Sequence, residues 1–169
     1  AETLKQKRAH CIEGAFVAAC ALWVSGRKPL LMDMRADGDD DHVIALFHSH
    51  GCWGAVSKSN HVWLRWRDPV YKTLRELALS YLHEYVSKER KTLRSYSVSF
   101  DLRRFDPKDW VSNQQSCWDI AQALDSARHH NLITPAQARR LKPRDDVELR
   151  ADTLVEYTKK DFERRHIYS

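Results

Sequence analysis

The fold of this chain is set near its start by the stretch KRAHCIEGAFVAACALW, residues Lys7 to Trp23. Apolar residues recur there at steps of three and four, and Gly26 stands where a helix would stop, so the pattern predicts a largely buried helix from His10 to Ser25. Cys11 stands at the start of this helix, and no Ser, Thr, Asp or Asn precedes it as a cap. The stretch therefore raises the question of whether Cys11 packs or reacts.

The composition is that of an ordinary globular protein. The chain has 169 residues, of which 43% are hydrophobic and 30% charged, enough for one domain with a real core. No run of 18 apolar residues and no signal-like start occur, which predicts a cytoplasmic protein without membrane insertion. The net charge of +5 arises from 28 basic and 23 acidic residues that are interspersed, which argues against nucleic-acid binding. The four cysteines have no CxxC spacing, so no metal and no cofactor are predicted.

Short β-like runs separated by polar turns follow the first helix and predict a small antiparallel sheet. They are Leu30–Met34, His42–Phe47, Trp53–Ser57 and His61–Trp66.

Helical patterns dominate the rest of the chain. Thr73 with Glu76 makes a capping box, and one extended segment is expected within SYSVSFDLRRF, residues 95–105. Further helix starts are predicted at Asp106, Ser116 and Thr134, and a last amphipathic stretch at Ala151–Arg165.

The expected fold class is α+β. We expect an N-terminal helix that carries Cys11 and packs on a small antiparallel sheet, followed by a helical C-terminal half. Residues 1–90 would form the catalytic core, and residues 91–169 a helical extension packed on it as a single compact unit.

A cysteine at a helix N-terminus has two advantages as a nucleophile. The helix dipole and the unpaired first-turn N–H groups favour its thiolate, and the same N–H groups can bind the oxyanion of acyl transfer. Such a thiol needs an imidazole as proton acceptor and an acceptor on the second imidazole nitrogen. His42 opens one predicted strand and Asp68 closes another, so both are candidates.

Three motifs carry a resemblance to a known family: HCIEGAF at residues 10–16, DHV at 41–43 and RDPVY at 67–71. In order and spacing they resemble the core of the transglutaminase-like superfamily of papain-like cysteine enzymes, in a bacterial-type branch. The resemblance implies that Cys11 is the nucleophile, His42 the general base and acid, and Asp68 the residue that orients the imidazole.

The resemblance also implies a function. The chain would be a thiol-dependent acyl-transfer enzyme that acts on a protein, peptide or amide substrate through a thioester, with hydrolysis, deamidation or transamidation as the outcome.

Alternatives stay open at this point. His61 is the reserve candidate for the base because it too begins a predicted strand, and His48, His50 and Cys52 are a less favoured zinc site. The alternative function is a non-catalytic module that binds protein or nucleic acid, supported by the basic residues within 91–105.

Overall fold

The computed structural model describes residues 2–6, 9–158 and 161. Seven strands form one antiparallel sheet, and two further strands form a separate hairpin. The strands are β1 Leu30–Ala36, β2 His42–Ser49, β3 Cys52–Val56, β4 Trp66–Tyr71, β5 Val86–Ser87, β6 Arg90–Lys91, β7 Leu93–Ser97, β8 Phe100–Asp101 and β9 His129–Asn131. The α-helices are α1 Glu2–Gln6, α2 Cys11–Val24, α3 Leu74–Leu79, α4 Pro107–Trp110, α5 Trp118–Asp125, α6 Pro135–Ala138 and α7 Asp146–Ala151.

The large sheet has the order β4-β3-β2-β1-β7-β9, and β8 pairs with β1. The first four strands form an antiparallel meander. Short polar connections join β1 to β2 and β2 to β3, whereas the longer segment of residues 57–65 joins β3 to β4. β1 is central. It pairs with β2 along one edge and with β7 and β8 along the other.

The prediction of a helical C-terminal half is wrong. β7, β8 and β9 come from the second half of the chain and complete the sheet beside β1. The expected boundary between residues 90 and 91 falls inside β6. The physical reason is that backbone pairing with β1 across long sequence separations decides the structure of these segments, whereas local helix signals govern only the short helices between them.

Both faces of the sheet are covered, so the core has two halves. α2, α4 and α5 cover one face, where Ala15, Phe16 and Trp110 pack against Leu31 and Ala45. α3 and the turns after it cover the other face. The buried residues there include Met32, Met34, Ile44, Leu46, Leu77, Tyr81 and Tyr85.

Most predicted helix starts are confirmed. α2 covers the predicted first helix, and capping boxes begin α3 at Thr73 and α6 at Thr134. Asp106 caps α4, and α5 begins at Trp118, close to the predicted start. The last amphipathic stretch is not a continuous helix, because α7 ends at Ala151; most of residues 159–165 lie outside the described residues.

The strand predicted at His61–Trp66 is also wrong. Val62–Leu64 is a 3₁₀ turn, and the strand β4 starts only at Trp66. Ser57 accounts for this geometry, since its backbone N–H donates to the Arg65 carbonyl at 2.8 Å and its hydroxyl donates to the Leu64 carbonyl at 2.5 Å. These bonds close the segment into a loop before the chain re-enters the sheet.

Candidate functional site

Cys11 is the first residue of α2 and lies beside the start of β2. α2 packs closely against the segment after β3 because Gly14, which has no side chain, faces Lys58 there. A Cβ on Gly14 would lie 2.3 Å from the Lys58 Cβ. The Cys11 thiol contacts the carbonyl oxygen of Asp41 at 4.0 Å, in hydrogen-bond range for sulfur. The sulfur therefore sits where a helix N-terminus meets a strand start.

The surroundings of the Cys11 sulfur act on its pKa in both directions. Burial raises the pKa above the ordinary cysteine value, and the negative charge of Asp33 raises it further. The backbone N–H groups of Val43, Ile12 and Cys11 itself act against this by favouring the thiolate. The net shift is upward, so Cys11 is a protonated thiol at neutral pH and needs a proton acceptor before it can attack a carbonyl.

The sequence indicates an uncapped start of α2, but in the structure this start is capped. The Glu13 side chain accepts a hydrogen bond from the backbone N–H of His10 at 2.7 Å. A carboxylate in the first turn also suits the positive end of the helix dipole. The sequence signal is the glutamate at the third helical position, which can serve as one half of a capping box even when the preceding residue is histidine.

His42 begins β2, and its ring packs on the face of the sheet that α2 does not cover. Its neighbours along that face are Met34 and Ile44, and its ring meets the Tyr85 ring edge-on with centroids 6.3 Å apart. Nε2 is buried without a hydrogen-bond partner, and burial lowers the His42 pKa from 6.5 to about 4. His42 is thus a neutral, buried imidazole that makes no hydrogen bond to Cys11.

Asp68 lies on β4, at the edge of the sheet. It is exposed and accepts a hydrogen bond from the Trp66 indole at 2.9 Å. β3 lies between β4 and β2 in the sheet. With ordinary strand spacings, the register places the Asp68 Cα about 15 to 20 Å from the His42 Cα. The structure therefore does not bring Asp68 to His42, and the roles given to these two residues stay predictions.

The other sequence candidates have structural partners of their own. His61 Nδ1 lies 3.2 Å from Asp152 Oδ1, which ties it to the segment after α7. His48, His50 and Cys52 occupy the β2–β3 hairpin, and they do not form a group with metal-coordinating spacing within the described part of the chain.

Asp33 and His129 are the ionisable pair that sequence reasoning missed. Asp33 lies on β1 opposite Val43, on the face that α2 covers, and is only 5% exposed. Its Oδ2 is 3.0 Å from His129 Nε2, and His129 Nδ1 is 2.7 Å from the Ala127 carbonyl oxygen. Burial raises the Asp33 pKa, and the hydrogen bond from His129 counteracts this. One signal did exist in the sequence: Asp33 is the only charged residue of the apolar run LLMDM.

Asp33 also belongs to a group of three carboxylates. The ligand atoms of Asp33, Asp41 and Asp125 all lie within 4.8 Å of one another. The Arg35 guanidinium lies next to these carboxylates, with one nitrogen 2.7 Å from Asp125 Oδ1 and another 3.7 Å from Asp33 Oδ2. Asp41 also accepts the Ala36 N–H at 2.9 Å. The group thus contacts one guanidinium and one backbone donor, and it joins the end of α5 to β1 and to the start of β2.

Comparisons with known proteins add no assignment. No family model matches the chain, and no curated protein is similar to it at a significant level. Within the described residues, no helix has the length and apolar character needed to cross a bilayer.

Proposed function

We propose that this chain is a thiol-dependent acyl-transfer enzyme with Cys11 as its nucleophile. The observation that carries the proposal is the position of the sulfur: Cys11 is the first residue of α2, and its Sγ lies 4.0 Å from the Asp41 carbonyl oxygen at the start of β2. The backbone N–H groups of Val43, Ile12 and Cys11 lower the pKa of this thiol. Two come from a helix start and one from a strand. Donors so placed can stabilise a thiolate and, during reaction, the oxyanion that forms next to it.

The proposed reaction has two steps. The sulfur attacks the carbonyl carbon of an amide or ester, an S–C bond forms, and the thiol proton leaves with the departing amine or alcohol. Water then attacks the thioester, releases the acid and returns the thiol; an amine in place of water gives transamidation. A protein, peptide or amide is the substrate class.

Asp33 is the proposed proton acceptor for Cys11. It is the charged side chain that acts most strongly on the thiol, and His129 lies directly behind it. Burial raises the pKa of the Asp33 carboxyl group above the ordinary aspartate value, and a higher pKa makes the carboxylate a stronger base. A cytoplasmic location belongs to the same proposal, since all four cysteines are free thiols and Cys11 must stay reduced to react.

The test is acylation by p-nitrophenyl acetate, followed by p-nitrophenol release and intact-protein mass spectrometry. We expect one acetyl group on Cys11, slow turnover, and loss of both in Cys11→Ser. Cys117→Ser is the matched control, because Cys117 also lies at a helix start, as the residue before α5, and its pKa is likewise raised by burial.

Acetylation of Cys117 at least as fast as that of Cys11, or turnover that survives in Cys11→Ser, would contradict the proposal. The chain would then be interpreted as a binding module without catalytic activity.

A further inference from the structure

A second site lies away from Cys11, in a pocket of about 350 Å³ between the β5–β6 hairpin and residues 138–143. Its lining is strongly charged. Five basic side chains face two acidic ones: Arg90, Lys91, Arg94, Arg139 and Lys142 against Asp37 and Glu89. The pocket therefore carries a formal excess of three positive charges.

Lys91 is the least expected of these residues because it is only 9% exposed. Its ammonium donates to the Lys142 carbonyl oxygen at 3.0 Å. An ammonium has three donors, and no carboxylate lies within ion-pair distance of this one among the residues that the structure describes. A buried cation with only a neutral partner is unfavourable, and an anion in the pocket would relieve it.

Two arginines that line the pocket share a single carboxylate oxygen. Asp37 Oδ2 lies 3.2 Å from the Arg90 guanidinium and 3.6 Å from that of Arg94. Arg94 is also fixed from behind, since its other terminal nitrogen donates to the Lys91 and Leu93 carbonyls, each at 2.9 Å. The guanidinium of Arg94 is thus oriented while its contact with Asp37 remains long.

The pocket is built rather than formed by chance side-chain positions. The backbone N–H of Arg144 donates to the Glu89 carbonyl at 3.0 Å, and Lys91 bonds the Lys142 carbonyl. These two bonds join residues 89–91 on one side of the pocket to residues 142–144 on the other. A cavity of this volume lies in the range of small-molecule sites.

We propose that this pocket binds a phosphate-bearing small molecule. Oriented guanidinium groups and an ammonium are the side chains that recognise phosphate oxygens best, and a dianion would offset more of the excess charge than a carboxylate does. The anion would take the place of Asp37 as the partner of Arg90 and Arg94. This inference does not depend on the function proposed for Cys11.

The experiment is isothermal titration calorimetry of the full chain with inorganic pyrophosphate, with acetate as the carboxylate comparison. Saturable binding of pyrophosphate is expected. Lys91→Met and Arg94→Gln should each weaken it about tenfold or more, the effect of losing one charge-assisted contact. Asp37→Asn should tighten binding severalfold because it removes the competing carboxylate.

Two matched controls separate a local site from general electrostatics. Lys28→Gln removes an exposed positive charge elsewhere, and Asp119→Asn removes an exposed negative one. Neither should change the affinity. Should Lys91→Met fail to fold, the exposed Arg139→Gln must give the weakening instead. Three results would each overturn the proposal. They are a failure of pyrophosphate to bind saturably, binding of acetate as tight as that of pyrophosphate, and a loss of pyrophosphate affinity in Lys28→Gln equal to that in the pocket variants.

Discussion

At the scale of single residues, Asp33 and His129 share protons in a way that their geometry dictates. The contact between His129 Nδ1 and the Ala127 carbonyl requires a proton on Nδ1, because a carbonyl only accepts. The contact between Nε2 and Asp33 then requires a second proton, which belongs either to the imidazole or to the carboxyl group. The hydrogen bond persists whether the imidazole or the carboxyl group holds this second proton, and it is lost when the proton leaves the pair.

The first prediction concerns Asp33→Asn. Because the Asp33 charge raises the pKa of Cys11, its removal should lower that pKa, and alkylation of Cys11 by iodoacetamide at pH 7 should become severalfold faster. Turnover of p-nitrophenyl acetate should fall in the same variant, since the proton acceptor is gone. The measurements are the pH dependence of the alkylation rate and the steady-state rate.

The control for this prediction is Asp119→Asn, an exposed aspartate at the start of α5. It should change neither rate. A normal turnover rate in Asp33→Asn would remove Asp33 from the mechanism, whereas an unchanged alkylation profile would show that its charge does not reach the thiol.

The second prediction concerns His42, whose pKa is lowered from 6.5 to about 4 by burial. The unfolded chain binds a proton on this residue as the pH falls through 6.5, and the folded chain does so only near 4. The folded state therefore loses stability between these values, by up to about 3 kcal/mol from a shift of this size. His42→Phe should flatten the pH dependence of the free energy of unfolding in this window.

Urea unfolding at a series of pH values measures this effect, and His83→Phe, at an exposed histidine, is the control. The same His42→Phe variant decides between two proton acceptors. Retained turnover supports Asp33, whereas loss of turnover with the fold intact would restore the role that the sequence gave to His42.

How far the site could be predicted depends on the range of the interactions that form it. Cys11 could be found because helix periodicity and its position at the helix start are local. The pairing of Asp33 with His129 could not, since 96 residues separate them and no local pattern links a strand aspartate to a three-residue strand near the end of the sheet.

At the scale of secondary-structure elements, β4 shows why the sequence predicts a strand at His61–Trp66 although the strand lies at Trp66–Tyr71. The run HVWLRW has apolar residues at alternate and adjacent positions, yet Val62 and Trp63 are 41% and 49% exposed, and only Leu64 is buried. The true strand contains Pro69, which usually argues against a strand. Pro69 is tolerated because β4 is at the edge of the sheet, a position that is known only once the strand order is known.

The third prediction concerns the docking of α2, which depends on Gly14. In most helices Gly→Ala is favourable by about 1 kcal/mol. Here the new Cβ would lie 2.3 Å from the Lys58 Cβ, an atom attached to backbone that cannot move freely. Gly14→Ala should therefore destabilise the fold by about 1 to 3 kcal/mol, as overpacking does, and should disturb the alkylation rate of Cys11.

A double-mutant cycle with Lys58→Gly tests the cause, with urea unfolding as the measurement. Removal of the Lys58 Cβ should abolish the penalty of Gly14→Ala, leaving only the cost of the new glycine. Additive penalties in the double variant would mean that the contact between these two residues does not limit the approach of α2.

At the scale of the whole molecule, the sheet joins distant parts of the chain. β1 pairs with β2, which follows it closely, but its other edge is covered by β7 and β8, and β9 extends the sheet beyond β7. Apolar alternation and turns could predict the local meander because those strands are neighbours in sequence. They could not predict the second half of the sheet, whose strands of two to five residues are too short to have a pattern of their own.

The last prediction follows from this topology. A chain of residues 1–90 lacks β7, β8 and β9, so one edge of β1 would have unpaired backbone groups, and the α2 face would lose Phe100, Trp110 and Leu124. We expect this fragment not to unfold cooperatively in urea, in contrast to the full chain. Mixing it with residues 91–169 should restore a cooperative transition and the reactivity of Cys11, as judged by circular dichroism and iodoacetamide labelling. A fragment of residues 1–90 that folds alone, with a dispersed amide NMR spectrum, would mean that the first half is an independent core and that the later strands only extend it.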